Sequence, residues 1–147
     1  MIVAGEASGD LHGGALAEQL KRLAPDRRLV GIGGAKMAAA GVALLENVDN
    51  LAVMGFVEVL AHVPKHWSLL RRLRQRLTAG SVGLVVLIDY PGFNLKLAAA
   101  AKNAGVPVLY YVTPQVWAWG AGRLAKISEV VTKAAPILPF EEKLLRD

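Results

Sequence analysis

The segment from Val82 to Asn94, VGLVVLIDYPGFN, places the tightest limit on the fold of this chain. Its first seven residues are nearly all apolar, which is typical of a strand buried on both faces in a parallel sheet. Asp89 follows where the strand ends. Pro91 and Gly92 then predict a turn, and Asn94 can cap the next helix. Open parallel sheets bind ligands beyond the carboxyl ends of their strands, so Asp89 is either a functional carboxylate or a residue that only stabilises its own turn.

Strand-like and helix-like segments alternate along the rest of the chain. Predicted strands cover residues 2–4, 29–32, 42–45, 82–88 and 106–112, with a short apolar strand end at Ile137 and Leu138. Predicted helices cover residues 11–23, 36–40, 55–60, 64–77, 94–104 and 123–128, and another begins at 140–147. This alternation predicts an α/β fold, a Rossmann-like doubly wound parallel sheet with right-handed crossovers.

Length and composition narrow the class of protein. At 147 residues the chain has the size of one domain, and we expect residues 1–147 to be a piece of a longer protein, because the chain opens inside a strand and stops inside a helix. No apolar run reaches the roughly 18 residues that cross a bilayer. There are no cysteines, which fits a reducing cytoplasm and excludes disulfides and thiolate metal sites.

Charge and histidine spacing bear on partners. Lys and Arg exceed Asp and Glu to give a net charge of +5, which indicates an anionic partner such as phosphate, lipid head groups or nucleic acid. His12, His62 and His66 lack the spacing of a metal site, so no metal is predicted.

The loop after the first strand, AGEASGDLHG at residues 4–13, is a second candidate for a ligand site. Its glycines permit close backbone approach, and the helix that follows offers free N–H groups to an anion or a sugar oxygen. The loop has neither the dinucleotide pattern nor the P-loop pattern. Glu6 and Asp10 would repel phosphate, which favours recognition of hydroxyl groups. Alternatively, the loop is only a tight turn with Ser8 or Asp10 as the helix N-cap, and His12 is only a surface histidine.

Residues 54–76 combine an apolar set with a basic one. The apolar members are Met54, Phe56, Val57, Val59, Leu60, Val63, Trp67, Leu69 and Leu70, and the basic members are Lys65, Arg71, Arg72, Arg74 and Arg76. No carboxylate occurs between Glu58 and Asp89. Such a segment suits a helix that lies in an anionic membrane surface. It equally suits an ordinary crossover helix with a solvated arginine face.

Six of the nine aromatic residues fall between residues 90 and 119. They are Tyr90, Phe93, Tyr110, Tyr111, Trp117 and Trp119. Several flank predicted strand ends, where sugars and acyl chains can pack on them. For Phe93 and Tyr110 a place in the core is the favoured interpretation.

Five blocks of the sequence resemble the lipid-A-disaccharide synthase family. They are AGEASGDLHG at 4–13, LAVMGFVEVL at 51–60, IDYPGFN at 88–94, YVTPQVWAW at 111–119 and ILPFE at 137–141, in the family's order. The resemblance implies the N-terminal, acceptor-side half of a two-domain glycosyltransferase B (GT-B) fold. It also implies an inverting transferase without metal or cofactor, which joins UDP-2,3-diacylglucosamine to 2,3-diacylglucosamine 1-phosphate and releases UDP at the inner face of the cytoplasmic membrane.

The resemblance also implies roles for individual residues. In that reaction Asp89 would be the general base that takes the proton of the acceptor hydroxyl. The substrate-binding set comprises Gly5, Glu6, Ser8, Gly9, Asp10, His12, Asn94 and Trp117. The membrane and acyl-binding set comprises Met54, Phe56, Val57, Val59, Leu60, Val63, Trp67, Arg71 and Arg72. Residues 130–136 depart from the family by being more polar than its usual strand, and Pro136 would remove a ladder hydrogen bond from a central strand.

Three classes of function remain compatible with these features. The first is the transferase half, with two lipid substrates, an anionic membrane surface and a further domain as partners, and no nucleic acid. The second is a non-catalytic lipid-binding module at a membrane surface. The third, a nucleotide-binding oxidoreductase, is disfavoured because the first loop lacks the dinucleotide pattern and no acidic residue follows the second strand.

Overall fold

The computed structural model describes residues 1–51, 56–113 and 121–138, with residues 56–63 and 121–124 described only as helical backbone. Its strands are β1 (Ile2–Ala4), β2 (Val30–Gly33), β3 (Ala43–Asn47), β4 (Val85–Ile88), β5 (Val108–Tyr111) and β6 (Lys133–Ala135). They form one sheet in the order β3-β2-β1-β4-β5-β6, and every pairing is parallel. The predicted doubly wound, Rossmann-like α/β fold is confirmed.

Helices cover both faces of the sheet. They are α1 (Ala7–Leu23), α2 (Ala35–Ala39), α3 (Phe56–Thr78), α4 (Pro91–Asn103) and α5 (Ala121–Val130), with a 3-10 turn at Val48–Asn50. Because strand side chains alternate, β1 and β4 serve two cores. One core, under α1 and α2, contains Ile2, Ala4, Ala17, Met37, Val86 and Ile88. The other, which includes buried residues of α3, α4 and α5, contains Val3, Leu73, Val85, Leu87, Leu97, Tyr110 and Ile127.

Helix α3 is continuous where the sequence predicts two helices, at residues 55–60 and 64–77. Pro64 lies inside it and costs the helix about 3 kcal/mol through a lost hydrogen bond and a steric clash. The second half packs on the core through Leu69, Leu70, Leu73 and Leu77, all buried. Each buried leucine contributes about 1.5–3 kcal/mol, so packing outweighs the proline.

Helices α1 and α4 each begin earlier than predicted. Helix α4 begins at Pro91, with proline in the first turn, so the predicted capping role of Asn94 is wrong. Helix α1 begins at Ala7 with Glu6 in the cap position and no side-chain cap, so neither Ser8 nor Asp10 is its N-cap. The first turn of α1 was not predicted from the sequence because it contains Gly9, and glycine has a low helix propensity.

The last described strand, β6, is at the edge of the sheet in the described part of the chain. It ends at Ala135, so Pro136 follows it and removes no ladder hydrogen bond. The strand end predicted at Ile137 and Leu138 is therefore wrong, and Ile137 is exposed. The polar composition of residues 130–136 fits an edge position. The helix predicted at 140–147 lies outside the described residues.

Asp10 caps a helix other than its own. Its Oδ1 accepts hydrogen bonds from the backbone N–H groups of Gly34 at 2.6 Å and Met37 at 3.0 Å, and its Oδ2 accepts one from Lys36 at 3.0 Å. These donors belong to the start of α2, where backbone N–H groups have no helical partner. Asp10 is only 5% exposed. A carboxylate from α1 thus holds α2 beside it.

We predict that Asp10→Ala lowers the free energy of unfolding by at least about 3 kcal/mol, because three buried donors each lose a partner at roughly 1–3 kcal/mol. Asp10→Asn keeps Oδ1 and should lose less. Denaturant unfolding of the chain measures both, and exposed Asp26→Ala is the control, expected within about 0.5 kcal/mol of the parent. Unchanged stability in Asp10→Ala would return Asp10 to the substrate-contact role that the sequence suggested.

Candidate active site at the carboxyl edge of the sheet

Three loops meet at the carboxyl edge of the sheet. The register pairs Ala4 of β1 with Ile88 of β4, and Ile88 with Tyr111 of β5. Gly5, Asp89 and Val112 therefore follow their strands at the same level. The strand order reverses between β1 and β4, and such a switch point is where open α/β sheets bind ligands. The structure places Asp89 where the sequence predicted it.

The backbone at this edge is held in a costly conformation. Asp89, Tyr90 and Val112 have φ values of 44°, 51° and 61°, and they are the only non-glycine residues with positive φ in the described part of the chain. Aspartate tolerates this left-handed region better than most residues, whereas β-branched valine is a true outlier. Each such residue costs roughly 1–3 kcal/mol, and strain of this kind clusters at functional sites.

Hydrogen bonds from buried groups offset that cost. The N–H of Asp89 donates to the carbonyl of Val112 at 3.1 Å, which ties the ends of β4 and β5 together. The carbonyl oxygen of Asp89 accepts one bond from Asn94 Nδ2 and one from the Tyr110 hydroxyl, each at 2.7 Å. Asn94 Nδ2 also donates to the carbonyl of Ile88 at 3.2 Å.

These contacts change the role of Asn94. It is 0% exposed, and its amide nitrogen is engaged with backbone. The structure thus gives the amide nitrogen of Asn94 a role in holding the backbone, and its predicted substrate contact remains a prediction. Tyr110 is equally enclosed, as the favoured core interpretation expected.

The environment of Asp89 favours a carboxyl group that takes up protons. Burial raises the pKa of Asp89, and the negative charge of Glu6 raises it further, while a hydrogen bond from the backbone N–H of Tyr90 acts in the opposite direction. Glu6 is exposed on the first loop and accepts a hydrogen bond from the Ser8 hydroxyl. Two carboxylates, one from each loop, thus lie close enough for the charge of Glu6 to act on Asp89.

Tyr90 joins three elements at the site, and sequence reasoning missed this function. Its ring covers Gly5 so closely that a Cβ at Gly5 would lie 2.1 Å from the ring carbon Cγ. The ring stacks on Phe93 with centroids 5.8 Å apart, and the hydroxyl lies 2.6 Å from Nε2 of His66 on α3. Burial raises the pKa of Tyr90. The glycine at position 5 was itself a sequence signal of close packing. No spacing in the sequence indicates that His66 contacts Tyr90, which is 24 residues away.

The first loop divides between the site and the scaffold. Glu6 and Ser8 are exposed at the crevice, while Gly5 and Gly9 are buried beneath it. Asp10 faces α2, so we assign it to the scaffold in place of the predicted substrate contact. His12 lies half-buried on α1, with its ring edge-on to Tyr111 at a centroid distance of 6.2 Å. Trp117, the other predicted contact, is outside the described residues.

The described half of the predicted membrane segment presents one apolar side chain and a basic face. Trp67 is 55% exposed, and the Lys96 ammonium lies 5.2 Å from its ring. Trp67, Ser68, Arg71 and Arg74 line a surface groove of about 380 Å³. Arg72 Nη2 donates to the carbonyl of Leu45 at 2.9 Å.

Part of the predicted apolar set belongs elsewhere. Leu69 and Leu70 are buried in the core, as expected for the alternative of an ordinary crossover helix. The other apolar residues predicted to contact the membrane lie outside what the structure describes. They are Met54 and the side chains of Phe56, Val57, Val59, Leu60 and Val63. Among the residues that it does describe, no helix is long and apolar enough to cross a membrane.

The chain matches the family described as lipid-A-disaccharide synthetase over residues 1–147. It is 52% identical over 145 residues to a lipid-A-disaccharide synthase of Syntrophotalea carbinolica, with 98% of this chain and 37% of that protein covered. It is 50% identical to the Geobacter metallireducens protein of that name, with 96% of this chain and 37% of the relative covered. For the Coxiella burnetii protein the identity is 47%, and the coverage is 98% and 38%.

The chain therefore spans somewhat over a third of the length of these curated relatives. The match includes the loop of Glu6, the strand that precedes Asp89 and the predicted membrane segment, since it extends over the whole chain. On these grounds the chain belongs to the lipid-A-disaccharide synthase family.

Proposed function

We propose that this chain forms the acceptor-side, N-terminal domain of a GT-B enzyme that makes the lipid A disaccharide. The enzyme joins UDP-2,3-diacylglucosamine to 2,3-diacylglucosamine 1-phosphate and releases UDP. The observation that carries the proposal is the half-buried Asp89, which lies at the switch point of the sheet on a strained turn beside Glu6. The name shared by its relatives gives the product, the lipid A disaccharide, and the family resemblance implies the two substrates.

Asp89 acts as the general base. It takes the proton of the acceptor hydroxyl as that oxygen attacks the anomeric carbon of the donor, and the UDP leaving group departs from the opposite face with inversion. Burial and the charge of Glu6 raise the pKa of Asp89, which makes it a stronger base than an exposed aspartate.

The first loop holds the acceptor sugar. Glu6 and Ser8 are exposed beside Asp89 and offer oxygens to sugar hydroxyls. Gly5 and Gly9 keep the loop close to the sheet, and His12 borders the same crevice near the end of β5. Orientation of this kind can contribute about 7–11 kcal/mol to catalysis, but only when both reactants are held in one cleft.

We predict that the purified 147-residue chain forms no disaccharide from the two lipid substrates, because the matched relatives are much longer and orientation needs both reactants. A chimera in which residues 1–147 replace the matching part of the Syntrophotalea carbinolica relative, 37% of that protein, should restore turnover. Product is measured by thin-layer chromatography of radiolabelled lipid. A chimera that binds both lipids without turnover would favour the non-catalytic lipid-binding module instead.

In that chimera, we expect Asp89→Asn to reduce kcat by about 10²–10⁴-fold with little change in KM, because the amide keeps the shape and loses the basicity. Asparagine also tolerates the left-handed backbone. Asp26→Asn, an exposed carboxylate, is the matched control and should keep full activity. Near-normal kcat in Asp89→Asn would transfer the role of base to Glu6.

Stability separates a base from a turn-stabilising residue. Because the folded pKa of Asp89 is raised, its stabilising contribution is present below the unfolded pKa and is lost as pH rises through the folded value. Asp89→Asn should therefore melt at a higher temperature than the parent at pH 7. The difference should vanish below the ordinary aspartate pKa of 3.8, where the carboxyl is protonated in both the folded and the unfolded chain. A lower melting temperature at pH 7 would indicate that the carboxylate stabilises the turn.

We also propose that residues 54–70, with the basic side chains beside them, lie on an anionic membrane surface, where diacylated substrates reside. Support comes from the exposed ring of Trp67 and the basic side chains of Arg71, Arg74 and Lys96 around it. Apolar contact combined with cations is the pattern of interfacial helices.

Serine at Val57, Val59, Leu60 and Trp67 together should reduce sedimentation of the chain with vesicles of phosphatidylglycerol, because the apolar contact is lost. Leu23→Ser is the matched control, since Leu23 is 83% exposed at the end of α1 and away from α3. Circular dichroism must show that the variant is folded. Unchanged sedimentation, or unfolding of the variant, would identify the segment as core.

A further inference from the structure

Two enclosed side chains converge on one atom of the Asp89 turn. Tyr110 reaches it from β5 and Asn94 from α4, and both are 0% exposed. Each donates to the carbonyl oxygen of Asp89 at 2.7 Å. A carbonyl oxygen has two lone pairs, so these two donors satisfy it fully. Neither donor is exposed at the surface.

We infer that Tyr110 and Asn94 are positioning residues for the base, and that they act by fixing the orientation of the peptide unit between Asp89 and Tyr90. This inference rests on the proposed role of Asp89. Burial in the core alone would not give Tyr110 and Asn94 any part in the reaction, so the inference assigns them a role beyond packing.

The planarity of the peptide bond connects the two sides of that unit. In a trans peptide the C=O and the following N–H point in opposite directions. Because the carbonyl of Asp89 is held towards the core by Tyr110 and Asn94, the N–H of Tyr90 is held on the other side, where it donates to the Asp89 carboxylate. The buried donors thereby fix the carboxylate through one rigid plane.

Packing makes the orientation firm. The Tyr110 ring belongs to the core under α3 and α4, so its hydroxyl has little freedom to move. Asn94 connects the end of β4 with the Asp89 turn, because its second N–H donates to the carbonyl of Ile88 at 3.2 Å. The residues on either side of the plane, Asp89 and Tyr90, both have left-handed φ values, and without the two donors the plane could rotate to relieve that strain.

The test is Tyr110→Phe in the active chimera, since phenylalanine keeps the buried ring and loses only the hydroxyl. We expect kcat to fall about 10- to 100-fold with KM little changed, because a misplacement near 1 Å can cost that much. We also expect the acid limb of the kcat–pH profile to move to higher pH, because the N–H of Tyr90 lowers the pKa of Asp89 and would be lost. The other titratable groups around the turn, Glu6, His12, His66 and Tyr90, are unchanged in this variant.

Thr132→Val is the matched control. The Thr132 hydroxyl accepts a hydrogen bond from the N–H of Val108 at 3.0 Å, at the opposite end of the same strand. This variant should lose stability while kcat and the acid limb stay as in the parent. Asn94→Ser is a second variant that tests the same role in case Tyr110→Phe fails to fold. We expect it to show the same loss of kcat.

A double variant separates the two proposals. If Tyr110 acts through Asp89, adding Tyr110→Phe to Asp89→Asn should cost nothing further, and additive losses would overturn the inference. A normal kcat and acid limb in folded Tyr110→Phe, beside an impaired Asp89→Asn, would refute only the positioning role. Near-normal kcat in Asp89→Asn would refute the base, and the positioning role with it.

Discussion

Hydrogen bonding between β1 and β4 at the centre of the sheet determines where the other parts of the molecule lie. Both strands are buried on two faces, and the register brings Ala4 level with Ile88. The chain leaves β1 towards β2 and leaves β4 towards β5, so the two loops diverge above adjacent strands. A crevice between them follows from topology alone, with Gly5 on one side and Asp89 on the other.

The turns at the base of that crevice have strained backbone, and contacts with the rest of the fold stabilise them. Left-handed backbone at Asp89, Tyr90 and Val112 is opposed by bonds between β4 and β5 and by donors from the core. A net hydrogen bond is worth about 0.5–1.5 kcal/mol, comparable with the cost of one strained residue. The turn therefore depends on the core beneath it, which links the packing of Tyr110 with the chemistry of Asp89.

The sequence predicted the parallel sheet, the ends of its central strands and the position of Asp89, because apolar runs and turn residues are local signals. It gave Asp10 a ligand contact or a cap, and Asn94 a cap, because short polar residues near glycines serve caps, turns and binding sites alike. The family resemblance added a ligand contact for Asn94. Their actual partners, the start of α2 and the carbonyl of Asp89, depend on how helices pack against the sheet. The contact of His66 with Tyr90 has the same origin, since nothing in the sequence fixes the rotation of α3 about its axis.

The division of the first loop between exposed and buried positions has an evolutionary consequence. Glu6, Ala7 and Ser8 face outward in succession, flanked by buried Gly5 and Gly9. The covering ring of Tyr90 forbids any side chain at Gly5. Selection can thus alter three adjacent positions at the crevice with little effect on folding, while their neighbours stay constrained.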